Sequence, residues 1–171
     1  MIELATAIQR FEHNLRAIRA LAAGVDERQA RWRPAPDEWS ILEVIHHLYD
    51  EEREDFRPRL DLTLHHPDLP WPPNDPGAKV AERRYNEQDL REILTAFQSE
   101  RAASLAWLST LDAPDWKRSH TLAQVGTLRA GDLLVSWLAH DILHLRQLAE
   151  LHYLYTTRQA QPYEVDYAGE W

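Results

Sequence analysis

The sequence predicts an all-α fold: a four-helix bundle with a long crossover loop between helices two and three and an irregular C-terminal tail. Three observations predict it. Apolar residues recur at steps of three and four in four separate segments, no segment shows a convincing strand pattern, and the connectors carry the prolines, glycines and capping residues that end helices. With 171 residues and 44% hydrophobic content, the chain fits one domain, residues 1–171, with a core of its own.

Helix one is expected over residues 2–23, because Ile8, Phe11, Leu15, Ile18 and Leu21 share one face and Gly24 marks the end. The connector "VDERQARWRPAPDEWS" holds two closely spaced prolines and cannot be continuous helix. Ser40, with Glu43 three residues on, forms a capping-box pattern that opens helix two, whose core face is Ile41, Val44, Ile45, Leu48 and Tyr49. Pro58 is expected to kink or interrupt this helix before about residue 64. The segment "HHPDLPWPPNDPG", with its prolines and closing Gly, reads as the crossover loop. Leu90, Ile93, Leu94, Phe97, Leu105, Leu108 and Leu111 define helix three. Thr127 is a candidate N-cap for helix four, which Leu133, Leu134, Trp137, Leu148 and Leu151 carry to about Tyr155. The tail has no periodicity but three aromatics, and is expected to lie back on the bundle.

Composition excludes several classes of function. A net charge of −9 and a pI near 5.4, with no cluster of Lys and Arg, argue against a nucleic-acid partner. The chain has no Cys, so disulfides, a Cys nucleophile and a Cys-ligated metal are excluded, and any metal must sit on His, Asp or Glu. No Gly-rich phosphate loop or nucleophile elbow occurs. No uninterrupted apolar run suggests a signal peptide or membrane span, so the expected location is the cytoplasm, with no membrane partner.

The stretch "SWLAHDILHLRQLAEL" sets His140 and His144 four residues apart on the apolar stripe of helix four. That spacing stacks two imidazoles on one face, where they can share a cation, and two unpaired polar rings inside a bundle are costly. Helix two supplies His46 and His47, which flank its core face on opposite sides, and periodicity alone does not choose between them. Either would complete a facial three-histidine site with positions left for water or substrate. Glu51 follows His47 by one turn on the same flank, as an acceptor behind it, an extra ligand or a catalytic base.

"EWSILEVIHHLYDEE", followed some ninety residues later by "GTLRAGDLLVSWLAHDILHLRQLAEL", resembles the DinB-like (DinB/YfiT-like) superfamily of four-helix metalloproteins, and the resemblance spans nearly the whole chain. It implies a divalent metal held by one His of helix two and both of the H-x-x-x-H pair. Counting from Trp39, the helix-two ligand matches His47, and the others match His140 and His144. His46 is left with a surface role. The superfamily includes transferases and isomerases that use a low-molecular-weight thiol, while its historical name implies no DNA binding. Three neutral imidazoles leave the ion its full charge, which lowers the pKa of a bound water or thiol and polarises a carbonyl or leaving group; zinc or nickel suits such a donor set. Without Cys, any thiolate must arrive as a cosubstrate.

These readings converge on a metal-dependent enzyme that performs thiol transfer or hydrolysis on a small molecule, with metal ligands His47, His140 and His144 and with Glu51 as the catalytic candidate. The alternative is a non-catalytic metal- or small-molecule-binding bundle. A homodimer is expected from the resemblance. His120 and Arg146 are further candidates, one to enter the cleft and one to bind an anionic substrate, each weighed against an ordinary surface role. Trp39 and Trp107 are expected in the core, Trp137 in the core and beside the site, and the run "DEERED" in solvent.

Overall fold

A computed structural model of the chain describes residues 3–122 and 126–169. Ile2 and Trp171, which the sequence assigns to helix one and the tail, lie outside the described residues. In chain order the elements are α1 (Leu4–Ala22), α2 (Glu27–Arg31) and α3 (Ile41–Glu51), then a π-helical turn (Glu52–Phe56) that leads directly into α4 (Arg57–His65). After these come α5 (Pro76–Glu82), a 3₁₀ turn (Tyr85–Glu87), α6 (Leu90–Thr110), strands β1 (Ser119–Leu122) and β2 (Gly126–Arg129), α7 (Ala130–Ala160) and a last 3₁₀ turn (Asp166–Ala168). The bundle is formed by α1, the α3–π–α4 stretch, α6 and α7, as the helical periodicities predict. No helix among the described residues is long and apolar enough to cross a membrane.

Local chemistry explains the element ends. Ser40 caps α3 as expected: its Oγ accepts from the Glu43 backbone N–H at 3.2 Å, and Glu43 accepts from the Ser40 N–H at 2.8 Å. Arg33 donates to the same carboxylate, anchoring the Pro-rich connector to the first turn. Pro58 does not end helix two, but the α-helix is interrupted just before it, as expected. The turn before it widens to π geometry, which accommodates the missing N–H and the ring, and the helix continues to His65.

Two expectations about the segment before α7 are corrected. Ser119 to Leu122 pairs antiparallel with Gly126 to Arg129, a hairpin whose strands are too short for alternation to reveal. Thr127 therefore lies in β2, and α7 starts at Ala130, where the Asp132 carboxylate accepts from the Arg129 backbone N–H at 3.0 Å. The tail is also corrected. Tyr163 and Tyr167 are exposed, and the last buried side chain of α7, Tyr155, is already covered by Trp32.

The core falls into two apolar halves. Phe11, Leu60, Leu64, Leu108, Leu134, Trp137 and Leu138 pack in one, and Ile18, Ile41, Ile45, Leu48, Phe97, Leu148 and Leu151 in the other. Along every long helix a polar residue separates them: Asn14 on α1, Glu52 on helix two, Arg101 on α6 and Asp141 on α7, all buried. The run "DEERED" is correspondingly not solvated, since Asp50, Glu51, Glu52 and Asp55 are all buried. Arg83 and Arg101 from other segments pair with Asp50 and Glu52, and Arg59, one turn further along the same helix, pairs with Asp55.

The crossover loop is tied down through α5 and the turn after it. Lys79 and Arg83 contact Glu54 at 2.8 and 2.9 Å, and Tyr85 donates to Asp50 at 2.6 Å. Burial alone would raise the Glu54 carboxyl, but the hydrogen bonds from Arg83 and Lys79 prevail and hold it at about 2, against an ordinary 4.5. A folded value below the unfolded one means that this stabilisation is present above about pH 4.5 and is lost as the pH falls toward 2. The stability difference between wild type and Glu54→Gln, read from urea unfolding, should therefore shrink steadily between about pH 5 and pH 2.

Candidate metal centre

Helix two presents His47 toward the stripe of α7 that carries His140 and His144, and the three rings converge. His140 Nε2 stands 3.1 Å from His47 Nε2 and 3.1 Å from His144 Nε2, and one nitrogen from each ring falls in a group no more than 4.8 Å across. A tetrahedral zinc with ordinary zinc–nitrogen bonds separates its nitrogen ligands by roughly 3.3 Å, so a small rotation of the rings would seat an ion.

Hydrogen bonding alone does not satisfy this cluster. An imidazole nitrogen carries either one hydrogen or one lone pair, so His140 Nε2 can make a proper hydrogen bond to only one of its two neighbours. His144 Nδ1 lies 2.8 Å from the Gln147 side-chain oxygen, which only accepts, so the ring hydrogen sits on Nδ1 and the Nε2 lone pair points into the cluster. His47 is buried and its Nδ1 has no partner. Three convergent ring nitrogens that no hydrogen-bond pattern satisfies together fit a cation.

The environment keeps the rings neutral, as metal ligation requires. Burial pushes His47 down to about 2, aided by the neighbouring His144 and His140 and by Lys79. Burial likewise brings His140 to about 4, with a contribution from His144 and opposed by Asp141. His144 is lowered by burial against the opposing effect of its bond to Gln147. Aromatic rings wall the cluster: Trp39 lies 4.9 Å from the His47 ring and stacks on His144 at 6.4 Å, while Phe56 packs on His140 at 5.1 Å.

Glu51 is buried, but it does not accept from His47, whose Nδ1 is unpartnered. It accepts instead from Asn74 Nδ2 at 2.9 Å, and the same amide nitrogen donates to Asp55 at 3.0 Å. Burial raises the Glu51 carboxyl, with the Asn74 bond opposing and the nearby Asp55 charge adding to the rise.

The remaining histidines lie elsewhere. His46 is not on the surface: it is buried and stacks on Tyr85 at 3.8 Å. His120 is held in β1 against Trp71 at 4.8 Å, with Nδ1 3.0 Å from the Pro67 carbonyl oxygen, and is not one of the three convergent rings.

Trp39, expected in the core, forms part of the wall of the cluster, whereas Trp137 is fully buried and donates to Glu52. A cleft of about 560 Å³ runs between the connector and α7, lined by Trp39, Leu143, His144, Arg146 and Gln147. Arg146 thus faces a cavity that touches the cluster. A larger cavity of about 790 Å³ lies where the α1–α2 region meets the start of α6, and no histidine lines it.

Sequence reasoning missed Arg101, Glu52, Gln147 and Asn74. Arg101 and Glu52 were visible as charged residues one helical turn beyond the core positions Phe97 and Leu48. Gln147 and Asn74 had no such signal.

A four-helix bundle with an inward-facing H-x-x-x-H pair on its last helix and a third His on its second defines a class of helical three-histidine proteins. The family model of the DinB superfamily matches residues 10–148, and the chain belongs to that superfamily. Its fold is similar to YfiT from Bacillus subtilis, described as a probable metal-dependent hydrolase with an unusual four-helix bundle topology. The two share a TM-score of 0.79 and 20% identity over 90% of this chain and 89% of that one. No curated protein matches the sequence.

The bond to Gln147 fixes one ring tautomer. In metal-free protein, nitrogen-15 imidazole shifts should show His144 as the Nδ1–H form, and Gln147→Leu should remove that preference while the helix content stays unchanged.

Proposed function

We propose that this protein is a metal-dependent hydrolase of small molecules, with a divalent ion, zinc or nickel, held by His47, His140 and His144. The observation that carries the proposal is the convergence of three largely buried imidazoles whose nitrogens cannot satisfy one another. When bound, the ion would lower the pKa of a water or thiol and polarise the bond to be cleaved. The description of the similar YfiT supports the hydrolytic reading.

The residues of the chain take the remaining roles. Glu51, one turn along helix two from His47, receives the proton of the nucleophile. Its raised carboxyl suits a base that must later return a proton, and Asn74 holds it in place. Trp39 and Phe56 exclude water from the imidazoles, and the 560 Å³ cleft beside His144 admits the substrate, with Arg146 at its wall. A low-molecular-weight thiol is the alternative nucleophile, and it would enter as a cosubstrate because the chain has no Cys.

Elemental analysis of untagged protein tests the ligand set. Near-stoichiometric metal is expected in wild type, with loss in His47→Ala and in His144→Ala, and a chelator should lower the melting temperature of wild type only. Wild type that stays metal-free after incubation with zinc and nickel would sink the proposal. Glu51→Gln should keep the metal and lose about 10²- to 10⁴-fold in kcat on whichever ester, amide or thiol-plus-electrophile substrate a screen identifies. Metal without activity across such a screen would favour a non-catalytic binding bundle.

A further inference from the structure

Arg101 stands on α6, the long helix opposite those that carry the three histidines, and is 1% exposed. Its guanidinium makes two hydrogen bonds to Glu52, at 2.7 and 2.9 Å, and two to Asp141, at 2.7 and 2.8 Å. Glu52 lies five residues after His47 on helix two, and Asp141 immediately follows His140 on α7. Asn14 donates to Asp141 at 3.1 Å and Trp137 Nε1 to Glu52 at 3.0 Å, each to an oxygen that Arg101 also bonds, so both carboxylates are further fixed. A planar fork bound twice at each end sets both the distance and the relative rotation of two helices.

The energetics of such an assembly argue that it supplies more than stability. A buried ion pair of this kind adds little stability over an apolar core of the same volume, because desolvation of the charges offsets their attraction.

We propose that Arg101 is a positioning residue of the metal centre: by clamping Glu52 to Asp141 it sets the register of helix two against α7 and so brings His47 to the distance from His140 and His144 that a single ion requires. The inference rests on the metal reading above. Metal affinity is sensitive to the groups that orient ligands, typically by 10- to 100-fold, so loss of the clamp should register in affinity and coordination geometry even in a folded bundle.

The test uses cobalt(II) as a probe, with affinity and the visible ligand-field spectrum read on the full chain. The triple variant Glu52→Gln/Arg101→Met/Asp141→Asn removes every charge of the clamp while keeping acceptors for Trp137 and Asn14. Wild type should bind cobalt(II), and the triple variant, with unchanged helicity, should bind it at least about tenfold more weakly with an altered spectrum. Leu108→Ala, a cavity in the apolar half of the core, should lose stability but keep both wild-type readings.

If the triple variant does not fold, Asp141→Asn alone carries the test with the same expected direction. Unchanged affinity and spectrum in the clamp variant would overturn the positioning role, as would an equal loss in Leu108→Ala. Wild type that fails to bind cobalt(II) would instead overturn the metal reading itself and this inference with it.

Discussion

The bundle is organised around a single buried guanidinium. Arg101 contacts all four long helices: α1 through the Phe11 carbonyl at 3.4 Å, helix two through Glu52, α7 through Asp141, and its own helix α6. The aromatic rings of Phe11 and Phe97 lie 4.9 and 5.2 Å from its charge, one from each apolar half of the core. Burial alone would lower its pKa, but Glu52 and Asp141 together raise it above the ordinary value, so the group stays charged and demands both partners. A core that contains such a demand has one acceptable alignment of its helices, because any slip by a turn strands a charge in an apolar layer.

That alignment is what makes the histidine cluster possible. Helix two and α7 approach each other at His47 and His140, and apolar side chains alone would tolerate small rotations there. The polar layer removes this freedom a few residues from the cluster on both helices. Trp39 and Phe56 then close around the imidazoles, and Gln147 sets the tautomer of His144, so the rings are oriented from several directions before any ligand arrives. Such preorganisation is what a site needs to bind a specific ion rather than adapt to whichever is present.

How much of this was legible in the sequence follows from the period of each signal. Helical stripes with capping residues gave the four helices and the Ser40 cap, because apolar burial and end-capping are local. The H-x-x-x-H pair was equally local. The choice of His47 over His46 was not, since the two rings flank the same core face and only the packing of α7 against it separates them; the family resemblance supplied the answer.

The buried "DEERED" run was misread for a similar reason. Its charges looked solvated because their partners Arg59, Arg83 and Arg101 lie on other elements or later turns. The four-residue strands before α7 are too short to alternate visibly, and the burial of His46 under Tyr85 depends on a loop about forty residues further on.

The π turn connects these points. In a regular α-helix, Pro58 would clash with the carbonyl four residues before it and break helix two at the level of the site. The wider turn relieves that clash and rotates each residue less than an α-turn does, so Glu51 and Asp55 stay on one side, where one Asn74 amide bridges them, while Glu52 faces Arg101. Phe56, at the end of the turn, reaches the Trp137 ring at 5.8 Å and His140 at 5.1 Å. One local irregularity thus sets two tasks along helix two: a carboxylate into the clamp and an aromatic wall for the imidazoles. Because the widened turn begins five residues after His47, its geometry fixes where Glu52 and Phe56 stand relative to the three convergent imidazoles.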